Sequence, residues 1–165
     1  MTTGIYIPQS ADYPVERATY PTTGAYRRAV HGFVDAIILD GPPMMLVVNS
    51  RWQYPQLPVN RRATELCWLH NPILRMQVLI GGDAVLVGPP EEDGTVRDVP
   101  PDFATFMLDT TRFQLEHRNV SGPRWPVHRR TFSDYFTAAA YGVDLITTAR
   151  RRTQTQIVAE SDPTD

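Results

Sequence analysis

Apolar and polar positions along this chain repeat with two different periods, and the change of period marks its elements. After Asn60, residues Ala63, Leu66, Cys67 and His70 fall at i, i+3, i+4 and i+7, with Leu69 widening the stripe. That is one face of a helix. Asn60 supplies an N-cap oxygen for the first turn, and Asn71-Pro72 stops the helix because the residue before proline is driven out of the α region. Gly81-Gly82-Asp83 then turns the chain into Ala84-Val85-Leu86-Val87, an apolar run of strand length that Gly88-Pro89 ends. Val78-Leu79-Ile80 is a second strand or the lead-in to the turn. Upstream, residues 32 to 39 are apolar on both faces, which predicts a strand central in a sheet. Asp40-Gly41-Pro42-Pro43 is turn punctuation, so Met44–Val48 is its antiparallel neighbour.

The second half begins at Pro100-Pro101-Asp102, with Phe103, Phe106 and Met107 at helical spacing. From Thr111 to Arg118 the alternation is strict. Phe113, Leu115 and His117 face one way, and Arg112, Gln114, Glu116 and Arg118 the other, as in a half-exposed strand. Thr131 with Asp134 reads as a capping box opening the longest helix, over 132–150, which Arg150-Arg151-Arg152 closes at the negative end of the helix dipole. Residues 1 to 24, rich in Thr, Pro and Tyr, read as an extended arm with Ile5-Tyr6-Ile7 pairing as an edge strand. Ala25–Val30 forms a helical turn, and residues 153–165 read as a flexible acidic tail. The architecture this predicts is one α+β domain over 25–152: a small mixed or antiparallel sheet with helices 60–70 and 132–150 on one face.

Composition narrows the class. A chain of 165 residues with 42% hydrophobic content can bury a genuine core. No apolar run reaches the ~18 residues of a membrane span, and Met1-Thr2-Thr3-Gly4 opens no signal peptide, so the expected compartment is the cytoplasm. All 16 basic residues are arginine. Lysine-based Schiff-base and P-loop chemistry is thereby excluded, and GC-rich codon usage is the simplest cause. The net charge of −2 excludes a globally basic nucleic-acid binder but leaves local patches open.

Three sets of residues carry candidate chemistry. Cys67 and His70 lie three apart on a helix, but zinc requires three or four ligands, so Cys67 reads as core and no metal or other cofactor is expected. Asp35, Asn60 and Asp83 are candidates for a polar site. Asp35 lies in an apolar strand, where an unpaired charge is costly, and carboxylates in unlike environments can divide acid and base roles. The plainer reading gives Asp35 an ordinary backbone or arginine partner. Four arginine clusters form the third set. Arg61 and Arg62 stand at a helix N-terminus suited to phosphate, and Arg129 and Arg130 stand beside Trp125, a mixture suited to stacking nucleic acid.

With these residues placed, HGFVDAI, MLVVN, LPVNRRAT and IGGDAVLVG follow in order between about Tyr26 and Pro89. This segment resembles an uncharacterised domain family common in actinobacterial phages, plasmids and other mobile elements. The family carries an acidic residue at the position of Asp35, an Asn at Asn60 and a Gly-Asp at Gly82-Asp83. It tends to an acidic turn where this chain has NSRW. The resemblance implies an origin more than an activity. The function expected is a non-enzymatic accessory protein binding a host protein or nucleic acid through Arg61, Arg62, Trp125, Arg129 and Arg130. Self-association as a homodimer stays open. The alternative is a small enzyme or nucleotide-binding protein using Asp35, Asn60 and Asp83.

Overall fold

A computed structural model describes residues 1–119, 127–148 and 153–160, and the chain divides into two compact units, Met1–Ala104 and Thr105–Asp165. The fold class is α+β. In the first unit, β1 (Thr2–Ile7), β2 (Glu16–Tyr20), β3 (Val34–Leu39), β4 (Met44–Asn49) and β5 (Ala84–Val87) form one antiparallel sheet in the order β2-β1-β5-β4-β3. Its helices are α1 (Thr23–Ala29) and α2 (Arg61–His70).

The predicted β3–β4 hairpin is present, with Ala36 opposite Val47 and Ile38 opposite Met45. β3 is an edge strand, however, not a central one: Ile37 and Leu39 are buried while Asp35, Ala36 and Ile38 are exposed. The middle strand is β5, all four residues of which are buried. The N-terminal stretch also departs from expectation. Instead of an arm with an edge strand, β1 lies inside the sheet between β2 and β5, with Ile5 and Ile7 fully buried. Gly4 permits this close approach, since a Cβ there would stand 2.8 Å from the Leu86 carbonyl oxygen and 3.0 Å from two valine methyls.

Strand alternation sorts the core into two layers. Met45, Val47, Val85 and Val87 point to the face covered by Tyr20, Ala25, Tyr26 and Val30, where the Tyr20 and Tyr26 rings stack at 4.7 Å. Burial against this layer pushes the Tyr20 phenol up to about 12. The other face carries Ile5, Ile7, Ile37, Leu39, Leu46, Val48, Ala84 and Leu86, all buried, and α2 adds Ala63, Leu66, Cys67 and Leu69 to the core. Cys67 is a core residue, its thiol raised to about 11 by burial.

At the end of α2, His70 Nδ1 lies 3.2 Å from the carbonyl oxygens of Asp40 and Gly41. Burial is the largest influence on this ring and holds its pKa below the ordinary value, against the two carbonyls, which raise it. A histidine with a depressed folded pKa stabilises the fold above its unfolded value of about 6.5 and loses that contribution as pH falls. The urea midpoint is therefore expected to drop between pH 7 and pH 5, and His70→Gln to flatten that part of the profile.

In the second unit, β6 (Phe113–Asn119) lies between β7 (Val127–Phe132) and β8 (Thr153–Ala159), and α4 (Tyr135–Thr148) packs on this sheet. The boundary between the units falls within α3 (Pro101–Asp109). The strict alternation of β6 is realised, with Phe113 and Leu115 fully buried. Two boundaries move. Thr131 belongs to β7, and the cap of α4 is Asp134, which accepts from the Thr137 N–H and hydroxyl. Residues 153–159, expected to be tail, pair along their whole length with β6 as β8. Arg150-Arg151-Arg152 lies outside the described residues.

Candidate functional site

Asn60 is fully buried and saturated. Its Oδ1 accepts from the Ala63 N–H at 3.0 Å, the predicted cap. Its Nδ2 donates to the carbonyl oxygens of Ile7 at 2.9 Å and Gly82 at 3.0 Å, and its backbone N–H donates to Ile80. The side chain thus ties α2 to β1 and to the turn before β5, and its full burial closes it to a ligand.

Asp35 serves the edge of the sheet. Its Oδ1 accepts from the Ala36 N–H at 2.8 Å and its Oδ2 from the Trp52 indole at 3.1 Å. Further along β3, Asn71 Nδ2 donates to the Ile38 carbonyl. Side chains thereby occupy ladder groups that an edge strand would otherwise offer to another chain. Asp35 also stands opposite Val48, and Val48 opposite Ala84, so Asp35 shares a face with Ala84. Asp83, the next residue, belongs to the opposite face, as its bond to Tyr6 shows. Asp35, Asn60 and Asp83 therefore do not form one site. Asp35→Ala is expected to cost about 1 kcal/mol and to make the protein self-associate as concentration rises. Sedimentation velocity over a concentration series measures this.

Asp83 is the member of the trio that opens on a cleft. Its Oδ1 accepts from the Gln9 N–H at 2.7 Å, and its Oδ2 from the Tyr6 hydroxyl at 2.8 Å. The same Oδ2 lies 3.1 Å from His31 Nε2. Burial, and then the bond to Asp83, hold the Tyr6 phenol well above its ordinary pKa, so it remains a donor. Tyr6, Pro8, Gln9, Tyr13, Glu16 and His31 are among the residues lining the cleft, whose volume is about 520 Å³.

His31 reaches this place at a cost. The end of α1 is closed by Gly32 N–H to Arg27 O and His31 N–H to Arg28 O, the paired bonds of a Schellman ending. Asn49 Nδ2 holds the same corner by donating to the Val30 and His31 carbonyls. The residue inside that motif takes a left-handed backbone and is usually glycine; here it is His31, at φ 55. A side chain in that conformation costs roughly 1 kcal/mol relative to glycine. The imidazole is 75% exposed, and its recorded side-chain contact is Asp83.

Arg62 is used differently from expectation. Arg62 donates to three carbonyls of the β1–β2 connection: Tyr13 at 3.0 Å, Pro8 at 2.7 Å and Ser10 at 2.6 Å. It fixes the wall of the cleft from behind and is not presented to a phosphate. Arg61 is 86% exposed, with Glu65 at 3.9 Å. Arg130, in the second unit, lies over the rings of Phe132 and Tyr141 at 5.6 and 5.0 Å. Trp125 and the side chain of Arg129 lie outside the described residues. Sequence reasoning reached Asp83 but missed Tyr6, Gln9 and His31, because only folding brings them to it. Among the described residues no three His, Cys, Asp or Glu side chains are grouped as a metal site would need, and no helix is long and apolar enough to cross a membrane.

The first unit is thus an α+β layer structure with an open cleft at one end of its central strand. The chain belongs to the family described as a domain of unknown function, DUF3846, whose model matches residues 1–112 and so includes every residue of the cleft. No curated protein and no solved structure matches the chain.

Proposed function

We propose that this chain is a non-enzymatic accessory protein of a phage or mobile element that binds a host protein in the host cytoplasm, using the cleft beside Asp83. The observation that carries the reading is His31. A histidine is kept in a backbone position suited to glycine, and its ring lies exposed at an open cleft. Backbone strain retained at a surface site, where packing does not require the side chain, points to function. Exposed apolar side chains also favour a protein partner: Ile73, Met76 and Leu79, on the connection between α2 and β5, are 79%, 59% and 54% exposed. The origin rests on the resemblance between Tyr26 and Pro89 and on the exclusive use of arginine.

Affinity capture from a lysate of the source bacterium, with and without nuclease, tests the reading. A protein retained after nuclease treatment and lost with His31→Gly is the expected result. Capture that disappears with nuclease favours nucleic acid as the partner, and capture indifferent to His31→Gly rejects the cleft.

The alternative of a small enzyme has one observation in its favour. A carboxylate 3.1 Å from an imidazole nitrogen can orient that ring as a general base. In this form it uses His31 and Asp83, without Asp35 or Asn60.

A further inference from the structure

We infer that the occupant of the cleft is the guanidinium group of an arginine side chain on the partner protein, an inference that rests on the binding reading above. A carboxylate only accepts, so the Tyr6 hydroxyl and the Gln9 N–H direct their protons at Asp83, and His31 Nε2 lies 3.1 Å from the same carboxylate. Tyr6, once committed as a donor to Asp83, has only the lone pairs of its phenol oxygen left for another partner. Glu16 stands opposite Tyr6 in the β1–β2 ladder and lines the same cleft. Glu16 is exposed.

The donors that could have offset this are engaged elsewhere. Arg62 is spent on the carbonyls of Pro8, Ser10 and Tyr13, and no arginine is among the cleft's lining residues. What remains is a recess bearing two carboxylates and a set of acceptors. That combination repels phosphate and suits a cation rich in N–H donors. The choice of guanidinium over ammonium follows from the walls. Tyr13, 66% exposed, and the rings of Pro8 and Pro14 offer flat surfaces on which a planar cation stacks, and the spaced acceptors suit a fork of donors.

The test uses the full chain and small probes of defined chemistry. N-acetyl-arginine N-methylamide, its lysine and citrulline counterparts and inorganic phosphate are titrated separately, and the Gln9 amide and His31 ring resonances are followed. The arginine probe is expected to shift both sets of signals. Its affinity should fall roughly tenfold in Glu16→Gln, the loss of one charge-assisted hydrogen bond. Citrulline, which has the shape without the charge, should bind roughly tenfold more weakly for the same reason. Equal binding of citrulline or lysine overturns the assignment. So do shifts caused by phosphate, an arginine affinity unchanged in Glu16→Gln, or no shift at all. The two proposals fail separately. Capture that depends on His31 with no response to the arginine probe rejects the guanidinium alone. A probe that binds while capture ignores His31→Gly rejects the partner reading alone.

Discussion

Asn60→Ala is expected to lower the unfolding free energy by about 3 kcal/mol, well beyond the ~1 kcal/mol of a simple N-cap. The cap to Ala63 is only one of three side-chain bonds; the carbonyls of Ile7 and Gly82 also lose their partner inside a site closed to water. Asn60→Asp separates the two contributions. It keeps an oxygen for Ala63 but turns a second oxygen, charged or protonated at a cost, toward two carbonyls. It should therefore recover little or none of the loss. Urea unfolding of the three proteins decides the matter. A deficit of only ~1 kcal/mol in the alanine variant would mean that the cap alone matters.

Arg62→Leu carries the next largest effect. Hydrogen bonds from a charged donor contribute roughly 1.5–3 kcal/mol each when well formed, but several to one guanidinium are not additive, so a total loss of about 2 kcal/mol is expected. The change should be local. Amide exchange at Gln9, Ser10 and Tyr13 is expected to accelerate, while β4 and β5 keep their protection. Arg62→Lys should restore little, since an ammonium is a compact point charge and cannot span three carbonyls as a planar fork does. Uniform loss of protection throughout the sheet would contradict a role confined to the cleft wall.

These two residues also show how far sequence reasoning carries. The cap at Asn60 was legible because its signal is local: an amide side chain followed at once by helical spacing. Its wider role was not, since Ile7 and Gly82 lie 53 and 22 residues away. Arg62 was legible as a cation at a helix start, but its partners are carbonyls of the β1–β2 connection, which pattern does not reveal. In β3 the run Ile37-Ile38-Leu39 reads as apolar on both faces, and only the strand order makes Ile38 an exposed edge residue. Polar composition hid the strand β8 and disguised the place of β1, whose Ile5-Tyr6-Ile7 reads as an edge strand. β1 passes for an arm because Thr and Gly dilute its isoleucines, and β8 passes for a tail although β6 pairs with all of it. His31 gave no signal at all. Its left-handed backbone belongs to the ending of α1, and its contact with Asp83 arises only when that ending meets the start of β5.

On the function proposed above, His31 serves binding and not stability. The most direct measurement is the unfolding free energy of His31→Gly at pH 7. Glycine relieves the backbone at φ 55, whereas an exposed histidine–carboxylate contact contributes little to stability. The variant is predicted to be as stable as the parent or more stable by up to about 1 kcal/mol. A loss of ~1 kcal/mol or more would show that the His31–Asp83 contact holds the fold, and would contradict the claim.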